Sequence, residues 1–336
     1  MPWKAERDPY KIWLSEIILQ QTRVQQGLPY YEKFVLKYPT VHHLADAPED
    51  EVIKLWEGLG YYTRARNLHA AAKQIANEMN GRFPNTYEKI IALKGVGAYT
   101  AAAISSFAFG LPHAVLDGNV YRVLARFLGI ASLIDTPAAQ KQFSALAQCL
   151  LDSANPAAHN QAIMDFGATC CTPQQPRCLE CPLHKECLAF QTGKVNELPL
   201  KSKGLVKKKR NFYYLIFNYR ESVFIRKRTG KDIWRGLWEF PQIQHPIETS
   251  PVGAGSVRVS RPFRQLLTHQ EVTAIFFEIN LPDDISDAIF QNPLFDGCEL
   301  KPRKELKKNI AFPKVIDCYL QNYVLTLNDS SQSNHV

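Results

Sequence analysis

The chain has 336 residues, of which 46% are hydrophobic and 21% charged, so it has the composition of a folded globular protein rather than a disordered one. No apolar run reaches the roughly 18 residues of a membrane-spanning helix, and the opening residues MPWKAERDPY lack the apolar core of a secretory signal, so we predict a cytoplasmic protein that needs no membrane. The formal net charge of +8 favours a polyanionic partner, nucleic acid first, although a basic chain is too common for charge alone to decide.

Residues 1–193 are predicted to form an all-α domain. Asp8 followed by Pro9 is a helix start signal, and Asn85 with Glu88 three residues later fits a capping box. Apolar side chains recur at helical spacing in the segments 8–24, 51–79, 87–110 and 119–130.

The character of the chain changes after this region. Segment 194–210, KVNELPLKSKGLVKKKR, has one acidic and seven basic residues, which predicts an exposed linker. Such a linker is either merely solvated or also in contact with DNA phosphates. From 211 to 325, aromatic and β-branched segments such as NFYYLIFNYR and VTAIFFEINL predict the strands of an α+β domain. The polar residues 326–336 are predicted to be a disordered tail.

Two glycines, Gly95 and Gly97, interrupt a helical segment in the sequence LKGVGAYTAAAI. We predict one helix that ends near Leu93 and a second that begins near Ala98. The free N–H groups at such a helix start bind phosphate well. The alternative is an ordinary helical hairpin in which a glycine ends the first helix.

This segment resembles the helix-hairpin-helix of DNA glycosylases, and VLDGNVYRVLARFLG beyond it resembles their loop with a catalytic aspartate. Together with WLSEIILQQT, LWEGLGYYTRARNLH and NQAIMDFGATCCT, these blocks resemble the MutY family of adenine DNA glycosylases over residues 2–193. The resemblance implies a monofunctional base excision repair hydrolase that releases adenine mispaired with 8-oxoguanine or guanine in duplex DNA. It also implies a monomer associated with the nucleoid, with an all-α helix-hairpin-helix domain before an α+β domain.

Four cysteines, Cys171, Cys178, Cys181 and Cys187, are separated by six, two and five residues. Clustered cysteines in a cytosolic chain more often bind metal than form disulfides. Their spacing alone leaves a tetrahedral zinc and an iron–sulfur cluster open. The resemblance implies that these four hold a [4Fe–4S] cluster in a loop at 171–187 and that Cys170 is not a ligand.

Two carboxylates are candidates for acid and charge-stabilising roles at an N-glycosidic bond. Glu16 has Ile12, Trp13 and Leu19 at helical spacing, and such apolar surroundings raise the pKa of a carboxyl group. The alternative is a glutamate that reaches solvent or pairs with Arg23. Asp117 is placed to cap the helix that begins near Asn119. The resemblance implies that Glu16 protonates adenine and Asp117 stabilises the sugar cation, with Tyr99 and Asn119 in support.

Position 99 also separates two kinds of glycosylase. In endonuclease III and related bifunctional enzymes a lysine stands at this place and forms a Schiff base with the sugar. Tyr99 cannot form that imine, so we predict little or no strand-cleaving activity. The resemblance further implies that Gly95 and Gly97 contact the DNA backbone. It also implies that the substrate is contacted by Trp3, Gln20, Gln21, Tyr61 and Gln161. Without the resemblance, Gln21 and Tyr61 would be ordinary residues of a helix surface.

The second domain contains GLWEFPQ, which resembles a Nudix-like domain, but we find no acidic Nudix box after Pro241. The resemblance implies that this domain, at 211–325, recognises 8-oxoguanine without hydrolysing pyrophosphate. The family's Phe-Ser-His element corresponds here to Leu267, Thr268 and His269. On its own, His269 would more often be a strand-surface residue.

The sequence leaves two other hypotheses of function open. One is an endonuclease III-like lyase, which Tyr99 disfavours. The other is a catalytically impaired iron–sulfur DNA-binding protein, because the chain starts at MPW, where the family has a preceding helix.

Overall fold

The computed structural model describes residues 6–202, 206–253 and 256–329. Contacts divide the chain into two compact units. The first is Met1–Ala47 with Thr63–Gly204, and the second is Pro48–Tyr62 with Leu205–Val336. The predicted fold, a helical domain followed by a sheet-containing one, is confirmed.

Helices build the described part of the chain up to Gln191. The first, α1 (Pro9–Leu19), begins as predicted, because the Asp8 side chain accepts a hydrogen bond of 2.9 Å from the Tyr10 N–H and Pro9 opens the helix. The others are α2 (Val24–Lys37), α3 (Val41–Asp46), α4 (Glu49–Leu55), α5 (Thr63–Glu78), α6 (Tyr87–Ile91), α7 (Ala98–Phe109), α8 (Gly118–Phe127), α9 (Pro137–Leu150), α10 (Pro156–Thr169) and α11 (Leu188–Gln191).

The helix α1 is almost wholly buried. Trp13, Leu14 and Ile18 have no exposed surface, and Ile12 and Ile17 are only 3% exposed. A helix that is apolar on nearly every side is stable only inside a core. Glu16 therefore lies on a helix whose position the surrounding residues fix.

The hairpin between α6 and α7 forms at the predicted place. Its N-cap differs from the prediction: Thr86, and not Asn85, accepts the N–H of Lys89, because Asn85 lies one residue before the N-cap position. Gly95 has a φ of +81°, and a Cβ there would lie 2.6 Å from Cβ of Asn67. The turn therefore requires glycine at position 95.

The helical pattern at 51–79 is broken in the middle. Helix α4 ends at Leu55 and α5 begins at Thr63. Between them Gly58, Gly60 and Tyr61 all have positive φ, which a helix does not tolerate. Residues Pro48–Tyr62 belong to the second unit, within which Lys54 Nζ donates to the Ile310 carbonyl at 2.8 Å.

The predicted linker 194–210 is not exposed throughout. Leu198 is only 4% exposed, and its carbonyl accepts a hydrogen bond of 3.0 Å from Arg126. The Ser202 N–H is held by the Asp135 carboxylate at 3.1 Å. The first part of the segment thus packs on the first unit, and from Lys208 onward the chain is a strand.

The second unit is a mixed sheet. Its strands are β1 (Lys208–Tyr219), β2 (Ser222–Lys227), β3 (Trp238–Glu239), β4 (Gln242–Ile243), β5 (Val257–Val259), β6 (Phe263–Leu266), β7 (Gln270–Leu281) and β8 (Cys298–Pro302). The central strands, β1 and β7, pair in parallel from Lys208 opposite Gln270 to Tyr219 opposite Leu281. The sheet order is β3-β2-β1-β7-β5, with β4 on β1, β6 on β7 and β8 on β2.

Both faces of this sheet are covered, which explains why β1 and β7 are continuous apolar runs. Helices α12 (Arg303–Asn309) and α13 (Lys314–Asp329) supply Leu306, Ile316 and Tyr319 to one core. Phe217, Phe277 and Phe295 belong to the other core. Helix α13 runs to Asp329, so the first residues of the predicted tail 326–336 continue this helix, and the rest lie outside the described residues.

Candidate active site

A cavity of about 470 Å³ in the first unit brings together five of the residues predicted from the sequence: Glu16, Tyr99, Asp117, Asn119 and Gln161. They come from α1, α7, α8 and α10 and are far apart in the chain. A second cavity of about 330 Å³ is lined by Glu16, Tyr99, Gln20, Gln21 and Leu19. Glu16 and Tyr99 therefore border both spaces.

Glu16 has the electrostatic setting of a general acid. Burial raises its pKa to about 7, the Tyr99 hydroxyl partly opposes this by a hydrogen bond, and the negative charge of Asp117 raises the pKa further. The partner of the carboxyl group is thus Tyr99 and not the Arg23 that the sequence offered as an alternative. A carboxyl group with a pKa near 7 can hold a proton and release it at neutral pH.

Tyr99 lies in the first turn of α7. Burial raises the pKa of its phenol well above the ordinary value, and the charges of Glu16 and Asp117 add to the effect. Its hydroxyl lies 3.6 Å from Sδ of Met164. A phenol in this setting stays protonated and serves as a hydrogen-bond donor.

Asp117 is the N-cap of α8, as predicted. Its Oδ1 accepts the N–H groups of Asn119 and Val120 at 2.9 and 2.8 Å, and its Oδ2 accepts the Asn119 side-chain amide at 2.7 Å. These donors and the positive end of the helix dipole stabilise a negative charge at this place. The capping and charge-stabilising roles are therefore compatible.

The end of α1 is fixed by a residue that the sequence analysis missed. Arg64 Nη1 donates to the carbonyls of Ile17, Ile18 and Gln20 at 2.8, 3.1 and 2.6 Å. The Gln20 side chain donates to Thr100 Oγ1 at 3.1 Å, and Gln21 has a φ of +53°. These contacts satisfy free carbonyls at the helix end and hold the two glutamines at the second cavity.

Helix α10 contributes more to the pocket than Gln161 alone. The Gln161 amide donates to Asp165 Oδ1 at 3.0 Å, and Met164, Asp165 and Ala168 also line the cavity. Met164, Asp165 and Ala168 follow Gln161 by three, four and seven residues, which places all four on one helix face. That spacing is a signal from which these residues could have been predicted.

The four predicted cysteine ligands lie together at the end of the first unit. Cys171, Cys178, Cys181 and Cys187 line one cavity together with Cys170, and none of the five forms a disulfide. Among the described residues no group of side chains is spaced to hold a single metal ion. Four thiols around one cavity form a donor set that can hold a metal centre.

Two arginines on α8 attach the cysteine loop to the helix. Arg122, 8% exposed, donates to the Cys171 carbonyl at 2.7 Å and to Asn119 Oδ1 at 2.8 Å. Arg126, 3% exposed, lies 3.4 Å from Cys171 Sγ and donates to the Thr172 carbonyl at 2.7 Å. Both arginines therefore hold the start of the cysteine loop through its backbone carbonyls.

The remaining predicted residues fall in other places. Gly95 precedes α7 and Gly97 is its N-cap, so their backbone lies at the predicted phosphate-binding turn. In the second unit, Tyr61 hydrogen-bonds Thr268 through the two side-chain hydroxyls, and Thr268 and His269 are both exposed. Leu267 is partly buried against the core of that unit. Trp3 lies outside the described residues.

A helical hairpin, a pocket with two carboxylates and a thiol-lined loop define a base excision DNA repair glycosylase. The family model described as "HhH-GPD superfamily base excision DNA repair protein" matches residues 14–149, and a NUDIX domain model matches 212–322. A thermostable thymine-DNA glycosylase of known structure is similar to the chain, with 33% identity, a TM-score of 0.53, and coverage of 57% of this chain and 88% of its own. An endonuclease III structure in a DNA complex shares the fold, with a TM-score of 0.50 at 23% identity over 56% of this chain and 86% of its own.

Curated relatives make the assignment more specific. The adenine DNA glycosylase of Buchnera aphidicola subsp. Baizongia pistaciae is 38% identical over 280 residues, which cover 80% of this chain and 78% of the relative. The human adenine DNA glycosylase is 42% identical over 207 residues, covering 59% of this chain and 38% of its own. The chain belongs to the adenine DNA glycosylase family, and it is therefore a DNA-binding hydrolase of base excision repair. Among the described residues, no helix is long and apolar enough to cross a membrane.

Proposed function

We propose that this protein, acting as a monomer on chromosomal DNA in the cytoplasm, removes adenine mispaired with 8-oxoguanine or guanine. The observation that carries this proposal is the pocket in which Glu16, with a pKa of about 7, lies beside Tyr99 and Asp117. Residues 1–193 would supply the catalysis, 194–210 the connection, and 211–325 the reading of the oxidised guanine. The family relationship supports the choice of adenine.

Adenine has to leave the duplex to reach Glu16. Glu16 donates its proton to N7 of the flipped adenine, because a protonated base is a better leaving group. The Gln161 amide contacts the base from α10, and Gln20 is a further substrate-binding residue. By their correspondence to the family, Gln21 and Tyr61 are each proposed to enter the base stack near the lesion. The role of Trp3, which is outside the described residues, stays a prediction.

Asp117 stabilises the sugar as the N-glycosidic bond breaks. The sugar acquires the character of an oxocarbenium ion, and the Asp117 carboxylate, held by backbone donors, stabilises that ion without reorganising. Water then adds to C1′ of the sugar and gives its proton to the Glu16 carboxylate, which leaves an abasic site and restores the acid. Asn119 orients the carboxylate through its side-chain amide. Gly95 and Gly97 let the backbone approach a phosphate, which positions the strand.

The absence of a lysine at position 99 leads us to propose a monofunctional enzyme. We expect a labelled 8-oxoguanine:A duplex to be cleaved only after alkali treatment, because base release leaves an abasic site and Tyr99 forms no Schiff base. Cleavage without alkali, with borohydride trapping of a protein–DNA adduct, would show the endonuclease III-like lyase. A gel shift without cleavage in either condition would show the catalytically impaired DNA-binding protein.

Thr268 and His269 are proposed to read the 8-oxoguanine, with Leu267 in the place of the family aromatic. Both Thr268 and His269 are exposed at the turn between β6 and β7. The Thr268 hydroxyl bonds the Tyr61 hydroxyl, and it would exchange or share this bond when it contacts a base edge. We expect the double change Thr268→Ala and His269→Ala to lower the rate preference for 8-oxoguanine:A over G:A by about tenfold, since one or two base-edge hydrogen bonds are lost. Single-turnover rates on the two duplexes measure this, and an unaltered ratio would refute the assignment.

We propose that Cys171, Cys178, Cys181 and Cys187 hold a [4Fe–4S] cluster. The cavity that they line, the nearby Arg126 guanidinium and the cysteine spacing all fit this group. When bound, the cluster would supply a covalent closure of the loop 171–187, and the chain's own side chains would carry out the catalysis.

Protein purified without oxygen should contain about four irons and four sulfides per chain, together with the broad visible absorbance of such clusters. Replacing Cys178 with alanine should remove most of this absorbance and lower Tm, whereas Cys149→Ala should change neither, because Cys149 is exposed and remote in sequence from the ligand loop. Stoichiometric zinc without visible absorbance would contradict the assignment.

A further inference from the structure

The strand β6 and the turn after it alternate strictly between two faces. Phe263 is buried, Gln265 is partly exposed and Leu267 packs against the core that contains Phe263. Arg264 and Leu266 point the opposite way and are exposed, Leu266 to 69%. This is the two-residue period of a strand, so the two neighbouring leucines have different environments.

The position of Leu266 beside the turn is fixed by the sheet. Leu266 pairs with Glu271 of β7, and the Leu267 N–H donates to the Gln270 carbonyl at 2.8 Å. This hydrogen bond closes a two-residue connection made of Thr268 and His269. Leu266 thus ends the strand directly before the residues proposed to read the lesion, and Leu267 holds the turn on the core.

The surroundings of Leu266 suit a duplex. Arg264 lies two residues away on the same face, and Lys209 shares that face through its pairing with Glu271. The Lys208 N–H donates to the His269 carbonyl at 3.1 Å, which fixes the basic strand start Lys207–Lys209 beside the turn. Glu271 itself lies on this face between Leu266 and Lys209, so the cations flank one carboxylate. Proteins that kink DNA combine an exposed apolar side chain, inserted between bases, with nearby cations that hold the phosphates.

We propose that Leu266, and not Leu267, is the apolar side chain that the second unit inserts into the base stack beside the oxidised guanine. The inference rests on the proposed function for the identity of the DNA. Its physical content is that Leu266 is a DNA-contacting residue whose loss leaves the fold intact, whereas Leu267 is a core residue whose loss weakens the fold.

The test compares Leu266→Ala, Leu267→Ala and Leu300→Ala in the full-length protein. Leu300 is an exposed leucine, 44% accessible, on the strand β8 at another edge of the same sheet. All three are made with Glu16→Gln, which keeps the 8-oxoguanine:A duplex intact during binding. Affinity is measured by fluorescence anisotropy, and unstacking by 2-aminopurine placed next to the 8-oxoguanine.

Leu266→Ala should weaken binding of the lesion duplex about tenfold, because burial of three carbons in the stack is lost. It should also remove most of the 2-aminopurine enhancement without changing Tm, and Leu266→Phe should restore both signals. Leu267→Ala should lower Tm by several degrees, and Leu300→Ala should match the parent in all three measurements.

Parent-like binding and fluorescence for Leu266→Ala would overturn the inference. So would a Leu267→Ala protein that loses the fluorescence signal with its Tm unaltered. A failure of the proposed function would be recognised by a different result, because wild-type protein would then release no adenine. The binding and fluorescence measurements would still decide which leucine contacts the base stack.

Discussion

Replacement of Glu16 by glutamine is expected to lower the rate of adenine release by at least about 10³-fold while the mispaired duplex still binds with near wild-type affinity. Glutamine has the shape of the protonated carboxyl group and can keep a hydrogen bond with Tyr99, but it has no proton to transfer. Single-turnover assays on an 8-oxoguanine:A duplex measure the rate, and anisotropy measures binding. Glu78→Gln, an exposed change on α5, is the matched control and should keep the wild-type rate.

The pH dependence of adenine release should also report the protonation of Glu16. Since burial raises the pKa of Glu16 from 4.5 to about 7, the acid is protonated below that value and adenine release should slow as pH rises through about 7. The folded state holds this proton more tightly than the unfolded state, so the stabilising contribution of Glu16 is lost as pH rises from 4.5 to about 7. Tm of the glutamine variant relative to wild type should therefore increase across that interval.

A Glu16→Gln protein with more than a tenth of the wild-type rate would exclude Glu16 as the acid.

Replacement of Asp117 by asparagine is expected to slow adenine release by about 10²- to 10³-fold with little loss of stability. Asparagine caps a helix about as well as aspartate, so its oxygen can still accept the N–H groups of Asn119 and Val120. The negative charge that faces the sugar cation is lost. The change thus separates the two roles of this side chain, which alanine would remove together.

The single-turnover rate and the Tm of Asp117→Asn are measured and compared with those of the wild-type protein. Asp8→Asn, the same substitution at the N-cap of α1, serves as the control and should leave both the rate and Tm close to wild type. If Asp117→Asn lowered Tm by many degrees and lost activity only in proportion to unfolding, Asp117 would be a cap and nothing more.

The local setting of two pocket residues could be predicted from the sequence, whereas their roles and the other pocket residues came from the family resemblance. Helical spacing placed Glu16 on an apolar helix, and the pattern Asp-Gly-Asn placed Asp117 at a helix start. Those two expectations needed only contacts within four residues along the chain. The fold class followed from the change between helical and strand patterns, which is also a local property.

The residues that were missed act over long distances in the chain. Arg64 binds a carbonyl 44 residues away at Gln20, and Arg122 binds one 49 residues away at Cys171. Because their partners are backbone carbonyls, which every residue carries, no sequence pattern indicates them. The break at 56–62 was missed for a related reason, since the apolar period continues across glycines that end the helix.

The two leucines before Thr268 show a third limit. Both are equally apolar, and a shift of one residue in strand register exchanges the buried and exposed faces. Only the pairing of Leu266 with Glu271 decides which leucine is exposed. The sequence correspondence indicated Leu267 for contact with the lesion, and the register of β6 leads us to propose Leu266 instead.

The central claim is that this chain releases adenine, and analysis of the free base tests it most directly. Wild-type protein is incubated with three duplexes that carry 8-oxoguanine:A, G:A and G:T, and the released base is identified by chromatography. We expect free adenine from the first two and no thymine from the third, although a thymine-DNA glycosylase is among the similar structures. Thymine from the G:T duplex, or no base from 8-oxoguanine:A under conditions in which that duplex is bound, would contradict the claim.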